Sequence, residues 1–383
     1  MSEANSISGN YFDADKGEWV KRPAREPPFV LYFGLPLVDR WLNENDVAKL
    51  ADKYKLGGNV DKVATGKNFT VGQWGVDDSN RDFDIGGEMQ IAAQATAGSV
   101  AVFGALGGDQ AGDMCLEAMK DGGIKSLYMV LSGEGELGTG FRLIYDSTDS
   151  STGLATSCRY TVPRAGAHVK PSNLKMANIE AAVAKTTWLY LDSGSLYASS
   201  DTAVALAERI TNDGMHVVFN LSLADTTQEQ DFGVFRLVQM ADVIILNEET
   251  AKRCDENHRG TGNRDWLKGA TTISETPPLG PEKNEKYKPD VVKWVVVTRG
   301  DKDITIIEGH PNNKSKAKVS SVKVKPVEPS EGSHSRGVGD IFAGGLVGGL
   351  AEGQSVEDAV STGIKLAAYS LTQEGPQLPA QSS

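Results

Sequence analysis

Cysteine is scarce in this chain of 383 residues: Cys115, Cys158 and Cys254 are scattered and odd in number. That pattern supports neither a disulfide framework nor a zinc site. Histidine is scarcer than its charge partners, and His168, His216, His258, His310 and His334 show no metal-ligand spacing. Long apolar runs are missing, so no segment reads as a membrane span. Basic residues are outnumbered, 39 Lys and Arg against 51 Asp and Glu, for a formal net charge of −12. Such a balance argues against nonspecific binding to nucleic acid or to an anionic membrane. It leaves room for a small anion held by backbone amides. The first residues, 1–28, are polar and lack the basic-then-apolar order of a signal peptide, so the expected location is the cytoplasm or another reducing, soluble compartment.

Glycine, by contrast, is plentiful at 42 residues. The stretch Ser335-Arg336-Gly337-Val338-Gly339-Asp340-Ile341-Phe342-Ala343-Gly344-Gly345 reads as a tight turn followed by a helix with a small-residue face. Gly337 and Gly339 permit a turn without Cβ clashes and a close ligand approach. A helix starting there aims unpaired N–H groups and its positive dipole end at an anion. Asp340 stands at the same place, where a carboxylate can take a proton from an attacking hydroxyl. An anion cradle beside a base suits phosphoryl transfer to an alcohol. Gly-x-Gly-Asp alone reads equally as a capped, glycine-rich helix start.

Composition, with 39% hydrophobic and 23% charged residues, suits one large α/β domain with an accessory piece, or two domains. Residues 1–28 read as a polar tail, closed by Pro27-Pro28. Phe29–Phe33 reads as a buried strand, residues 88–98 as a helix, Ser99–Phe103 as a strand, and Phe141–Tyr145 as an antiparallel partner of Ser157–Val162. From Trp188 the pattern alternates: strand Trp188–Leu191, helix Asp201–Asn212, strand His216–Asn220, helix Asp231–Met240, strand Val243–Leu246, helix Glu248–Cys254. Alternation of this kind implies parallel βαβ units. Residues 260–290 interrupt it and read as a surface insertion. Trp294–Thr298 resumes the sheet, Asp303–Glu308 with Ala317–Val324 reads as an edge hairpin, and Val356–Thr372 as the last helix.

In order along the chain, Gly34-Leu35-Pro36-Leu37-Val38-Asp39, Gly86-Gly87, Phe103-Gly104-Ala105-Leu106-Gly107-Gly108-Asp109 with Gly112, Gly138-Thr139, Asn220-Leu221-Ser222, Asn247-Glu248-Glu249-Thr250, Thr298-Arg299-Gly300 and the Gly337–Asp340 turn resemble the PfkB (ribokinase-like) family of sugar and nucleoside kinases. Within that family the motifs resemble those of adenosine kinase. The resemblance spans residues 29–380. It implies a three-layer α/β/α core with a mainly parallel sheet and a small β lid, from segments 37–85 and 137–168 of a kinase domain covering 29–383. It implies Asp340 as general base, the amides of Gly337, Val338 and Gly339 as anion hole, and Asp39, Gly86 and Gly87 around the acceptor. Asn247, Thr298, Gly300 and Arg336 fall on the nucleotide side. ATP and Mg2+ are the implied co-substrate and ion of an active enzyme, with no metal-ligand residue assigned.

Several positions depart from the family pattern. Leu35 and Ile91 stand where adenosine kinases usually carry Asn, and both read as core packing. Thr161–Gly166 replaces the usual lid contact. Thr250 takes the place of the last carboxylate of the Asn-x-x-Glu motif. His334-Ser335-Arg336 replaces the usual entry to the glycine turn, and Arg336 reads equally as a phosphate clamp or a surface ion pair. A site that binds sugar hydroxyls loses selectivity when its polar partners become aliphatic. Two readings follow. One is a kinase-derived structural, assembly or nucleotide-sensing protein with weakened or lost activity, contacting a protein partner or large complex. The other is an active nucleoside or sugar kinase of altered acceptor, and an isolated monomer is expected in either case.

Overall fold

The computed structural model describes residues 10–13, 18–21, 29–41, 62–63, 83–86, 88–132, 137–148, 155–162, 164–222, 231–259, 265–278, 291–312, 316–325, 327 and 337–372. Gly87, His334, Ser335 and Arg336 lie outside them, as do most of residues 42–82 and of the expected insertion.

The first strands are β1 (Asn10–Asp13), β2 (Glu18–Lys21), β3 (Phe29–Phe33), β4 (Leu37–Trp41), β5 (Lys62–Val63) and β6 (Phe83–Gly86). Helix α1 (Glu88–Ala95), β7 (Ser99–Phe103), β8 (Ala105–Gly107), α2 (Gln110–Asp121), β9 (Lys125–Ser126) and β10 (Met129–Leu131) follow. Next come β11 (Gly140–Thr148), β12 (Ala155–Val162), α3 (Ala177–Val183), β13 (Thr186–Asp192), α4 (Ser193–Asn212) and β14 (His216–Leu221). The last third holds α5 (Asp231–Met240), β15 (Val243–Asn247), α6 (Glu248–Arg259), α7 (Trp266–Ser274), β16 (Lys293–Arg299), β17 (Lys302–Gly309), β18 (Lys318–Val322), α8 (Val338–Ala351) and α9 (Val356–Ser370).

Nine strands form the main sheet in the order β18-β17-β16-β15-β14-β13-β3-β7-β9. From β16 to β9 every pair is parallel, and β17 and β18 add an antiparallel edge. Alternate residues of each strand feed two cores, as the period of a pleated strand requires. Leu31, Phe33, Leu189, Leu191, Phe219 and Leu246 face one layer of helices. Val30, Tyr32, Tyr190, Val218 and Ile245 face the other, which includes Phe342, Ala343, Leu346 and Val347 of α8. The result is a three-layer α/β/α sandwich. A five-stranded sheet, β5-β12-β11-β4-β6, stands apart from it, with β11 parallel to β4 and antiparallel to β12.

The structure corrects one local expectation and adds detail within two other segments. Helix α4 begins at Ser193, eight residues before the expected Asp201, and Ser199 breaks it with extended backbone (φ −170°, ψ 105°). Ser199 then accepts from the Thr202 backbone N–H at 3.3 Å, restarting the helix where the apolar spacing becomes regular. The expected insertion 260–290 contains α7, whose Ala270 is fully buried and whose Asp265 N-cap accepts from Leu267 and Lys268 N–H. The Pro-rich and charged residues after it masked that helix. Within residues 1–28, β1 and β2 pair antiparallel with Tyr11 opposite Val20 and Phe12 opposite Trp19.

Candidate active site

Strands leave β3 in opposite chain directions: β7 and β9 lie on one side, β13 to β16 on the other. The crevice beyond the carboxyl ends of β3 and β13 is therefore the topological switch point, where open α/β sheets bind ligands. Gly34-Leu35 leaves β3 there, and Asp192 ends β13.

Helix α8 supplies the glycine turn. Gly337 is its N-cap, with φ +73° in the left-handed region that an L side chain rarely adopts. No side chain caps the helix; Ile341 N–H closes the first intrahelical bond to Gly337 O at 2.8 Å. The N–H groups of Val338, Gly339 and Asp340 consequently have no intrahelical acceptor. A Cβ on Gly339 would meet nothing within 4 Å, so the turn faces open space. The small residues behind it serve packing: a Cβ on Gly344 would lie 2.1 Å from Ala92 O of α1. Thr96 Oγ1 joins the same two helices by donating to Ala92 O at 2.8 Å and Gly344 O at 3.0 Å.

Asp39, on β4, is buried with both oxygens engaged by Arg142 of β11, Nε to Oδ1 at 2.8 Å and Nη2 to Oδ2 at 2.7 Å. The two residues are register partners in the parallel pair. Gly86 leaves room for this fork, because a Cβ there would sit 2.0 Å from Asp39 Oδ1. Burial works against the Arg142 charge, but Asp39 first, then Glu88 and Asp340, outweigh it and hold the guanidinium pKa above its usual range. Arg142 thus links Asp39, Asp340 and the first residue of α1 electrostatically. Asp109 anchors the strand that carries it: Oδ2 accepts from Thr139 N–H at 2.8 Å and Oδ1 from Gly112 N–H at 2.9 Å.

Asp192 is the least expected member. Only 1% exposed, it N-caps α4 by accepting from Ser195 N–H at 2.8 Å, and Ser195 Oγ bridges to Phe33 O. Burial, then the charge of Glu88, raise its pKa to about 7 against the Ser195 hydrogen bonds. Tyr190, two residues earlier, is pushed up by burial and then by Asp192 and Asp340. Neither Arg142 nor Asp192 was singled out from sequence. A signal existed for Asp192, an acidic residue closing an apolar strand three residues before a serine, as in a capping box. Arg142 had none beyond its place in an alternating strand.

Leu35 and Ile91 are core residues, 3% and 6% exposed. Leu35 covers Gly166, whose Cβ would lie 2.0 Å from Leu35 Cδ1. Ile91 packs with Ala95, Ile341 and Leu366.

Asn247, Thr298 and Gly300 form a second group at the ends of β15 and β16, where Asn247 and Thr298 are register partners. Asn247 Oδ1 accepts from Thr250 N–H at 2.7 Å and so caps α6, while Thr298 Oγ1 points to Leu246 O at 3.5 Å. Gly300 turns the chain with φ +66°. Arg299, between them, donates to Glu248 Oε2 at 3.1 Å and lies 4.4 Å over the Trp266 ring. Lys252 and Arg299 hold the Glu248 carboxylate below its ordinary pKa. A cavity of about 520 Å3 lies between α9 and the residues after β18, lined by Val322, Lys323, Lys325, Ile364, Lys365 and Tyr369 among others.

Residues 82–383 match the profile of the pfkB family carbohydrate kinases. The chain belongs to that family. Among curated relatives, an adenosine kinase of Schizophyllum commune is 26% identical over 349 residues, 90% of this chain and 95% of the relative. An adenosine kinase of Saccharomyces cerevisiae is 27% identical over 302 residues, 77% of this chain and 80% of that one. Among solved structures, adenosine kinase from Schistosoma mansoni in complex with 2-fluoroadenosine superposes with a TM-score of 0.75 at 16% identity, covering 93% of this chain and 98% of that one. The α/β/α sandwich with its mostly parallel sheet is accordingly the ribokinase-like fold, and this family member is adenosine-kinase-like. Among the described residues, no helix is long and apolar enough to cross a membrane.

Proposed function

We propose that the protein is an ATP-dependent phosphotransferase acting on a hydroxyl of a nucleoside or sugar, with an acceptor preference altered from that of adenosine kinases. The observation that carries this reading is the glycine turn of α8, open to space, with Asp340 in its first helical turn and within the field of Arg142. Asp340 takes the proton of the acceptor hydroxyl as that oxygen attacks the terminal phosphorus of the nucleotide. The free N–H groups at Gly337–Gly339, at the positive end of the helix dipole, stabilise charge developing on the transferred phosphoryl group. Arg142, within the field of Asp340, adds a positive charge to the site. The acceptor occupies the switch-point crevice beside Asp39 and Gly86. The five-stranded sheet is the lid, excluding water when the crevice fills. The nucleotide lies by Asn247, Thr298 and Gly300, with its base end in the lysine-lined cavity against α9.

ATP in this family comes with Mg2+. Glu248 is already neutralised by Lys252 and Arg299, and Thr250 is a buried helix residue. No three described His, Cys, Asp or Glu side chains converge as a ligand set. The Asn247–Thr250 stretch therefore does not fit a resident magnesium site, and no step is assigned to the ion.

A second reading, a kinase-derived assembly protein, is favoured by one observation: Phe232 and Phe235, one turn apart on α5, are 68% and 55% exposed. ATP consumption over a panel of nucleosides and sugars separates the two. Turnover that falls at least about 100-fold in Asp340→Ala supports the kinase. Failure of every acceptor, together with failure to bind ATP, removes it.

A further inference from the structure

The chain passes from the main sheet into the five-stranded sheet through Gly34–Leu37, between the end of β3 at Phe33 and the first residue of β4. Pro36 has no N–H to give at this crossing. Gly34 N–H donates to Phe103 O at 3.3 Å, and Pro36 packs over Gly104, where a Cβ would lie 2.9 Å from Pro36 Cδ. Leu37 is gripped by two side chains of the main body. Its N–H donates to Gln90 Oε1 at 2.9 Å, and its carbonyl accepts from Cys115 Sγ at 3.9 Å.

Gln90 lies on α1 and is fully buried. Only the oxygen of its amide can accept from the Leu37 N–H, which fixes the orientation of the side chain. Its Nε2 and the Tyr128 hydroxyl are buried with no hydrogen-bond partner. Burial pushes the Cys115 thiol up to about 11, and pushes the Tyr128 hydroxyl up too, with Gln90 near enough to oppose both shifts. A glutamine kept for packing alone would serve better as an apolar residue, because an unsatisfied buried NH2 group is costly. What the amide gains in exchange is the bond to Leu37.

That bond matters because of Asp39. Asp39 follows Leu37 by two residues on β4 and is the one polar side chain from Gly34 to Asp39. Its fork with Arg142 requires β4 to keep the register in which Leu37 pairs with Gly140 of β11 and Gly86 of β6. A slip of one residue would turn Asp39 to the other face. Helix α1 is itself fastened to α8, the helix of Asp340, through Ala92, Gly344 and Thr96 just beyond its end. Gln90 therefore ties the strand of Asp39 to the helix pair that carries the glycine turn.

We propose that Gln90 is a positioning residue: by fixing Leu37 it sets Asp39 at the place where the acceptor is held. The inference rests on the kinase reading for the role of Asp39.

The test compares wild type, Gln90→Met and Gln90→Glu by steady-state kinetics, using the nucleoside or sugar of the panel that turns over fastest, and by amide hydrogen exchange. Methionine keeps the length of the side chain without the carbonyl, and glutamate restores an oxygen. Gln90→Met raises KM for the acceptor about tenfold, the worth of one hydrogen bond, and leaves KM for ATP within about twofold. The Leu37 amide exchanges at least about tenfold faster, while the amides of β14 keep their rates. Gln90→Glu brings both quantities back to within about threefold of wild type. Where Gln90→Met is not recovered folded, Gln90→Asn, one methylene too short to reach Leu37, takes its place. An unchanged acceptor KM, an equal rise in both KM values, unchanged exchange at Leu37, or no rescue by glutamate overturns the positioning role alone. A wild-type protein that turns over no acceptor removes the kinase reading and the proposal with it.

Discussion

Replacing Asp192 by Asn isolates the energetic consequence of one buried carboxylate. Asn caps a helix about as well as Asp, so the Ser195 contact survives in kind. In the wild type, burial and Glu88 raise the carboxyl pKa from 3.8 to about 7. Between those values the folded protein holds a proton that the unfolded chain has released. The associated stability is fully present below about pH 4 and is lost as pH rises through 7. The gap from 3.8 to about 7 corresponds to about 4 kcal/mol, since each pH unit is worth about 1.36 kcal/mol. Urea unfolding of both proteins at intervals from pH 4 to 8 measures it. The variant should gain on the wild type steadily over that window, by on the order of 4 kcal/mol, and the difference should level off above pH 8. Curves that stay parallel would refute a buried, proton-holding Asp192. Glu88→Gln should shrink the same slope, because its charge is the second cause of the shift.

Gly344→Ala should destabilise the protein by about 1–3 kcal/mol and lower turnover as well, because the new Cβ meets Ala92 O and separates α8, which begins at the glycine turn, from α1, which begins at Glu88; melting and kinetics on one preparation check both. Gly86→Ala drives the Asp39 carboxylate off Arg142, so acceptor binding should weaken at least about tenfold; a titration that finds it unchanged removes Asp39 from the acceptor site. Lys293 is 2% exposed, and its ammonium donates to Val238 O at 2.6 Å near the end of α5 and to Thr276 O at 3.1 Å just beyond α7. Lys293→Met leaves those carbonyls unpaired and should cost about 3 kcal/mol in urea unfolding.

The alternation of apolar strands and helices from Trp188 onward was legible because a parallel sheet buried on both faces writes near-continuous apolar runs, such as Val295–Val297. Local chemistry was legible too: a left-handed position such as Gly337 asks for glycine, and the turn before α8 shows it. Helix α7 was not legible, because its neighbours are rich in proline and charge and its burial depends on packing beside α6 and β16. The break at Ser199 was hidden for a related reason, since a serine N-cap inside a helical run looks like any other polar residue.

Sequence by itself determined the family, the layered fold and the helix that begins just before Asp340, because each rests on spacing that the chain carries locally. Only the tertiary structure decided what surrounds that aspartate. Asp39 and Arg142 are 103 residues apart and meet through strand register. Asp192 lies in the field of Glu88 near the switch point, where strands far apart in sequence end side by side. Electrostatics acts through space over a few ångströms, and a sequence orders residues only along the chain.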